Sequence, residues 1–455
     1  MNVTNPSILG GYTIKAIMDT WTLQEGYPLL TVTRNYANNS ALLSQKRFLL
    51  EPYRADQISS HLNPSTLFRF QWYIPFNYMN TSRVSFLDWL APNETRTVND
   101  IASSNEWIVF NVHEFGFYRV NYDERNWQLL TSELKNDRNR FSVITRAQLI
   151  DDAFNLARSM DLNVAVPFHL STYLCNEIDY IPYSAFSTNI QYPLIMFSRN
   201  ENKTTYRQLQ TFIHTLEQSM YDKLGWTIVP TSSDYFSRQL RSLVIGDLCA
   251  NGYIPCVNSA ISQYRQWRLN STATSINPDF RTTVYCQGIK HGTTTDYEHI
   301  RQEYEQTNDE VEKYRLGYAL TCSQNTTLLN QLLNSTLTNE YIRLHDASTF
   351  ISHISIQPTG QNLTWRFISE RWSELVAKYG GIILTLPHIV ESVLQYMNTE
   401  RELADIEKFM VDTADLSIAK RAFLLSIEKI RANIQWMNTV GSDIQELLAN
   451  NSLRC

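Results

Sequence analysis

Phe117-Tyr-Arg-Val-Asn-Tyr-Asp123, followed downstream by Thr145-Arg-Ala-Gln-Leu-Ile-Asp-Asp-Ala-Phe-Asn-Leu-Ala-Arg-Ser-Met160, is the stretch whose reading decides the fold. The first segment reads as a strand. Tyr118, Val120 and Tyr122 fall on one face at period two, with Arg119 and Asn121 on the other. The second reads as an amphipathic helix, in which Ile150, Phe154 and Ala157 share a stripe that Leu149, Ala153, Leu156 and Met160 widen. Upstream of this stretch the pattern is β, and downstream it is helical. The stretch is therefore the junction of two domains.

Working upstream, Tyr12 to Leu23 sets Ile14, Ile17, Met18 and Trp21 at helical spacing, and Gly26-Tyr27-Pro28 stops that helix. Strands are expected over 29–36, 45–50, 82–87 and 107–112. Phe68, Phe70, Trp72, Ile74 and Phe76 alternate with Arg69 and Gln71, and Asn77 faces away with them; this is the clearest period-two run. Pro75 places that run at a sheet edge or a strand end. Short strands between polar turns predict a small β-sandwich.

Downstream, helices are expected over 145–160, 203–221, 234–251, 255–268, 277–290, 310–322, 362–378, 398–412 and 416–449. Consecutive helix–turn–helix units without intervening strands predict a mostly α fold: a small β-sandwich followed by an α-solenoid of the armadillo kind. Such stacks curve, and the concave side usually binds something. The domain reading is a linking remnant at 1–26, a sandwich at 27–122 and a helical superhelix at 123–455.

The 455 residues suffice for two or three domains with real cores. A net charge of −6 excludes the basic footprint of a nucleic-acid binder. Six cysteines without CxxC spacing exclude a zinc ribbon. Sequons stand at Asn2, Asn38, Asn80, Asn93, Asn202, Asn270, Asn325, Asn334, Asn362 and Asn450. So many, spread through polar segments, point to the secretory pathway and to an extracellular or cell-surface glycoprotein, where disulfides persist. Met1-Asn-Val-Thr-Asn-Pro6 is not a signal peptide, no segment has the length and apolarity of a membrane span, and the C-terminal residues carry no anchor signal. The expectation is the latter part of a longer secreted or membrane-anchored protein.

Catalytic motifs are wanting. A zincin helix needs two histidines one turn apart with a glutamate between them. His113-Glu114 has Phe117 where the second histidine belongs, and it lies between expected strands. His291 and His299 are separated by a Gly-Thr-Thr-Thr turn and read as solvated surface histidines. No nucleophile elbow or Walker loop occurs. Asp151 and Asp152 point about 100° apart on their helix and cannot share a substrate, so they read as surface or interdomain contacts.

The chain resembles the C-terminal half of zinc aminopeptidases of the aminopeptidase N family. The segments that carry the resemblance are Met18-Asp-Thr-Trp-Thr-Leu-Gln-Glu-Gly-Tyr-Pro28, Trp72-Tyr-Ile-Pro75, Gly116-Phe-Tyr-Arg-Val-Asn-Tyr-Asp123 and Arg146-Ala-Gln-Leu-Ile-Asp-Asp-Ala-Phe154. Tyr318-Ala-Leu-Thr-Cys-Ser323, Ile342-Arg343 with Asp346, Trp365 with Phe367, and Asn433-Ile-Gln-Trp436 continue it. The resemblance implies a superhelix closing like a bowl over an active site in an upstream catalytic domain, a partner in cis that carries the zinc and grips the peptide N-terminus. This chain has no zinc or other cofactor of its own and no catalytic residues; its partners are that domain and peptide substrates. The resemblance also implies the disulfides Cys249–Cys256 and Cys286–Cys322. Cys175 and Cys455 are left over, either free or with Cys455 pairing outside the chain. Arg315, Arg343 and Asp346 are the candidate peptide contacts, with helix-to-helix ion pairs as the plain alternative. The competing function is a catalytically inactive glycosylated receptor, homodimerisation module or peptide decoy.

Overall fold

The computed structural model describes residues 9–50, 69–227, 235–269, 275–338, 340–450, 453 and 455. The chain forms two compact units. One comprises Met1–Ile190 with Ser442–Cys455, the other Gln191–Gly441. The fold is mostly α, with a small sheet region followed by a helical array.

The first unit opens with α1 (Ile14–Thr22), capped by Thr13, whose hydroxyl accepts from the Ala16 N–H at 3.1 Å. Strands β1 (Pro28–Asn35), β2 (Ser40–Arg47), β6 (Arg96–Val98) and β8 (Arg119–Tyr122) form one sheet, ordered β6-β2-β1-β8. In it β1 runs antiparallel to β2 and parallel to β8. Two small sheets pair β3 (Ile74–Phe76) with β5 (Asp88–Leu90), and β4 (Tyr78–Met79) with β7 (Val109–Phe110). Leu29, Leu30 and Val32 of β1 and Ala41 and Leu43 of β2 are buried. Tyr118, Val120 and Tyr122 are buried together, as their alternation predicts.

The long aromatic run is not one strand. Arg69 and Phe70 take positive φ (50° and 55°), so extended pairing starts only at Ile74; Phe68 lies outside the described residues. The strand expected at 82–87 is displaced to Asp88–Leu90. Asn80 folds the intervening segment into a turn instead, its Oδ1 accepting from the Ser82 and Arg83 N–H groups, both at 2.9 Å.

Asp123 joins the sheet to the first helix after it, α2 (Glu124–Asp137). Its carboxylate accepts from the Asn126 N–H (3.0 Å) as N-cap, and from the Arg34 N–H (3.1 Å) and the Tyr36 hydroxyl (2.6 Å) of the β1 end. Helix α3 (Val143–Arg158) starts on Ser142 and ends where Met160 turns left-handed at φ 63°. Asp151 and Asp152 converge after all: Arg119 of β8 donates to both, at 2.6 and 3.0 Å. The guanidinium spans the two side-chain directions, so the pair fastens α3 to the sheet. Burial pushes Asp152 up to about 7 against the pull of Arg119. Helix α4 (Ala165–Ser171) follows, and α5 (Tyr180–Ser198) leads into the second unit.

The second unit is a double layer. One layer holds α6 (Thr204–Leu224), α8 (Ile254–Leu269), α10 (Thr294–Gln306), α12 (Thr326–Thr338), α14 (Gln361–Glu370) with α15 (Trp372–Tyr379), and α17 (Glu400–Asp412). The other holds α7 (Tyr235–Ala250), α9 (Arg281–Lys290), α11 (Glu310–Thr321), α13 (Ala347–Ile356), α16 (Thr385–Leu394) and α18 (Lys420–Asn438). In the second layer each helix packs on the next: α7 on α9, then α11, α13, α16 and α18. Helix α19 (Val440–Ala449) begins at the end of the second unit and belongs from Ser442 on to the first. The expected span at 362–378 is broken at Arg371 into α14 and α15, and that at 416–449 after Asn438 into α18 and α19.

Three disulfides form. Cys249–Cys256 closes the α7–α8 turn, where Gly252 supplies φ 79°. Cys286–Cys322 ties α9 to the end of α11. Both follow the pairing the resemblance implies. Cys175 and Cys455 are not left over: they bond to each other across 280 residues, a separation no local pattern announces.

Candidate functional site

The candidate site lies in the second unit, where the N-terminal half of α11 meets α13. Close approach is built into the sequence. A Cβ on Gly317 would meet the Phe350 ring at 2.8 Å, so glycine lets the helices touch. A cavity of about 200 Å3 results. Its aromatic walls are Tyr304, Tyr314, Tyr318, Phe350 and His353, and its polar edge is Glu310, Lys313, Arg343 and Asp346.

Ile342, 1% exposed, anchors the segment before α13 and so aims Arg343 at this edge. Asp346 directly precedes α13 but makes no side-chain cap bond, which frees its carboxylate. Arg343 Nε donates to Asp346 Oδ2 at 2.7 Å, while Nη1 and Nη2 grip Glu310 at 2.8 and 2.7 Å. This fork-to-carboxylate geometry raises the Arg343 pKa, Glu310 contributing most, and lowers that of Glu310. Lys313 Nζ sits 5.3 Å from the Tyr304 ring centre. The Tyr304 hydroxyl is buried without a hydrogen-bond partner among the described residues, and burial pushes its pKa up to about 12. His353 meets Tyr318 edge-on at 5.1 Å; burial lowers its pKa and keeps the ring neutral.

Two carboxylates offset the two cations, so the cavity carries no large field. Its walls suit a flat or apolar side chain, and its edge can exchange hydrogen bonds with a peptide backbone or terminus. Among the described residues no three His, Cys, Asp or Glu side chains gather as metal ligands, so this donor set does not fit a zinc ion.

Arg343 and Asp346 are thus brought together, and Arg315 is not with them. Arg315 donates to Glu312 at 3.1 Å, one turn away, where Arg281 (3.0 Å) and the Tyr285 hydroxyl (2.7 Å) also converge. It braces α11 against α9. Sequence reasoning missed the aromatic walls, although Tyr314, Gly317 and Tyr318 already share one face at helical spacing. His113 is exposed and bonds Ser142 Oγ through Nδ1 at 2.8 Å. His299 is not a surface histidine: it lies 5.2 Å from the Trp267 ring, with Nε2 buried. Of the sequons, Asn38, Asn93, Asn202, Asn325, Asn334, Asn362 and Asn450 are exposed and Asn80 is buried; Asn2 and Asn270 lie outside the described residues. No described helix is long and apolar enough to cross a membrane.

A small sheet region leads into a double-layered helical array, and no metal-binding cluster occurs among the described residues. The ERAP1-like C-terminal domain family matches residues 107–432, and the chain belongs to that family. It is 32% identical over 435 residues to aminopeptidase N of Bos taurus, covering 93% of this chain and 43% of that protein. It is likewise 32% identical over 429 residues to aminopeptidase Ey of Gallus gallus, with the same two coverages. With the thyrotropin-releasing hormone-degrading ectoenzyme of Rattus norvegicus it shares 33% identity over 436 residues, 93% of this chain and 40% of that one. The chain thus spans less than half the length of these relatives. The resemblance to the C-terminal half of aminopeptidase N proteins is borne out.

Proposed function

We propose that this chain is the non-catalytic C-terminal region of an aminopeptidase N-type zinc metallopeptidase. It encloses the peptide-binding cavity and gates the release of N-terminal residues by an upstream catalytic domain in cis, which carries the zinc. The observation that supports this best is the family match over residues 107–432, which takes in the α11–α13 cavity. In this reading Arg343 and Asp346 meet the body of a peptide, and Arg315 supports α11, the helix that forms the facing wall. Secretion and glycosylation belong to the same reading, which is supported by the sequons and by one relative that is named an ectoenzyme.

The test is the size of the native protein, blotted from its source after deglycosylation with an antibody against residues 145–160. A band of roughly twice 52.9 kDa, as a second half of ordinary domain size would give, is expected. A band near 52.9 kDa refutes the reading and favours the inactive binding or dimerisation module.

A further inference from the structure

A glycan is carried on an asparagine Nδ2, so a sequon can be used in the folded protein only where that nitrogen faces water. Four sequons of the second unit meet this condition. The Oδ1 of Asn202 accepts from the Thr204 N–H at 3.0 Å, and that of Asn325 from the Thr327 N–H at 2.9 Å, each at the start of a helix. That of Asn334 accepts from Arg371 Nη1 at 3.3 Å. In these three the oxygen is engaged toward the protein, and the residue is exposed. Asn362 is exposed in the first turn of α14. Asn202 and Asn325 stand just before α6 and α12, and Asn334 and Asn362 lie within α12 and α14, all helices of one layer. In the other layer α9 and α13 have no exposed residue at all.

Asn80 is the reverse. It is 9% exposed, its Nδ2 donates to the Ile101 carbonyl at 2.6 Å, and its Oδ1 takes two backbone N–H groups. Donors and acceptor fix the amide orientation, with nitrogen inward.

We propose that N-glycans coat the α6–α12–α14 layer at Asn202, Asn325, Asn334 and Asn362, leave the layer of α9, α11 and α13 bare, and are absent from Asn80, whose side chain is a structural part of the sheet region. The assignment rests on the secretory reading above. A sugar at Asn80 would have to occupy the space between the turn and Ile101. Because transfer precedes folding, chains glycosylated there do not reach the folded state.

Two measurements test this. Protein from its source is treated with peptide N-glycosidase F in H2(18)O and the peptides are read by mass spectrometry. Label at 202, 325, 334 and 362, with none at 80, is expected; label at 80, or its absence at any of the four while other sequons carry it, overturns the partition. Label at no sequon overturns the secretory reading itself. Independently, Asn80→Gln and Asn362→Gln are compared in unglycosylated protein made in a bacterial periplasm. A Tm several degrees below wild type for Asn80→Gln and an unchanged Tm for Asn362→Gln are expected. Equal Tm values for the two variants overturn the structural role of Asn80 whatever the glycans show.

Discussion

Glu217 on α6 is fully buried, and neither carboxyl oxygen has a hydrogen-bond partner among the described residues. Burial raises its pKa well above the usual carboxylate range, and nearby Asp247 adds to the effect. Folding therefore holds a proton that the unfolded chain releases above a pKa of about 4.3. The stability tied to this proton is fully present below that unfolded value and is lost as pH rises toward the folded one. The loss runs at about 1.4 kcal/mol per pH unit, because one proton is involved. For a unit of this size that is roughly 3–6 °C in Tm per pH unit. Glu217→Gln keeps the shape and removes the titration. The assay is the Tm of both proteins from pH 4.5 upward, read as a difference. The difference cancels neighbours common to both, among them His214, whose pKa burial lowers and whose Nε2 lies 2.9 Å from the Asn251 carbonyl, and Arg241, whose Nε donates to the Leu224 carbonyl. The variant should gain on wild type with each pH unit until the folded pKa is passed. Parallel curves would refute the reasoning, and so would a variant that is less stable throughout, since that would mean the carboxylate is ionised and paired.

Two further outcomes follow from packing. Arg146, 3% exposed, grips Glu177 at 2.6 and 2.5 Å and Asp179 at 2.9 Å; Arg146→Met leaves Glu177 with Arg138 at 3.5 Å and should cost about 3–5 kcal/mol in urea unfolding, much of it recovered by adding Glu177→Leu. On α9, a Cβ at Gly288 would stand closer to the Tyr264 ring than any real contact allows; Gly288→Ala should therefore lower stability by about 1–3 kcal/mol despite its better helix propensity, and Gly288→Ala with Tyr264→Leu should restore part of it.

Much of the fold was legible where one residue pattern had one structural solution. Tyr118-Arg-Val-Asn-Tyr122 alternates and is half buried, and the Ser142-capped helix follows its stripe. Helices α2, α4, α5, α10, α12, α13 and α16 lie outside the expected spans, and in two of them the composition argues against a helix. Helix α5 carries Pro193 and α12 is rich in threonine and asparagine, yet packing against neighbours overrides those propensities. Long-range pairings were invisible for a different reason. Nothing local to Cys175 or Cys455 tells that they meet, and two adjacent aspartates that diverge on their helix converge once Arg119 reaches across from a strand.

The candidate site shows the same divide at the scale of single residues. Arg343 and Asp346 are three apart across a helix start, a spacing that brings them together without knowledge of anything else, and their 2.7 Å bond confirms that geometry. Arg315 has the same local relation to Glu312, so the sequence offered two arginines of equal standing. What separates them is the partner on the next helix: Glu312 faces Arg281 and Tyr285 on α9, whereas Glu310, one half-turn earlier on α11, opens toward the segment before α13. A shift of two residues along one helix thus sends one ion pair into the helix–helix seam and the other to the rim of a cavity. The aromatic walls come from three helices, Tyr304 on α10, Tyr314 and Tyr318 on α11, and Phe350 and His353 on α13, so the double-layered packing itself assembles them. If peptide contact resides here, it is a property of how neighbouring helices stack, and substitutions at Gly317 that part α11 from α13 should disturb it as surely as loss of Arg343.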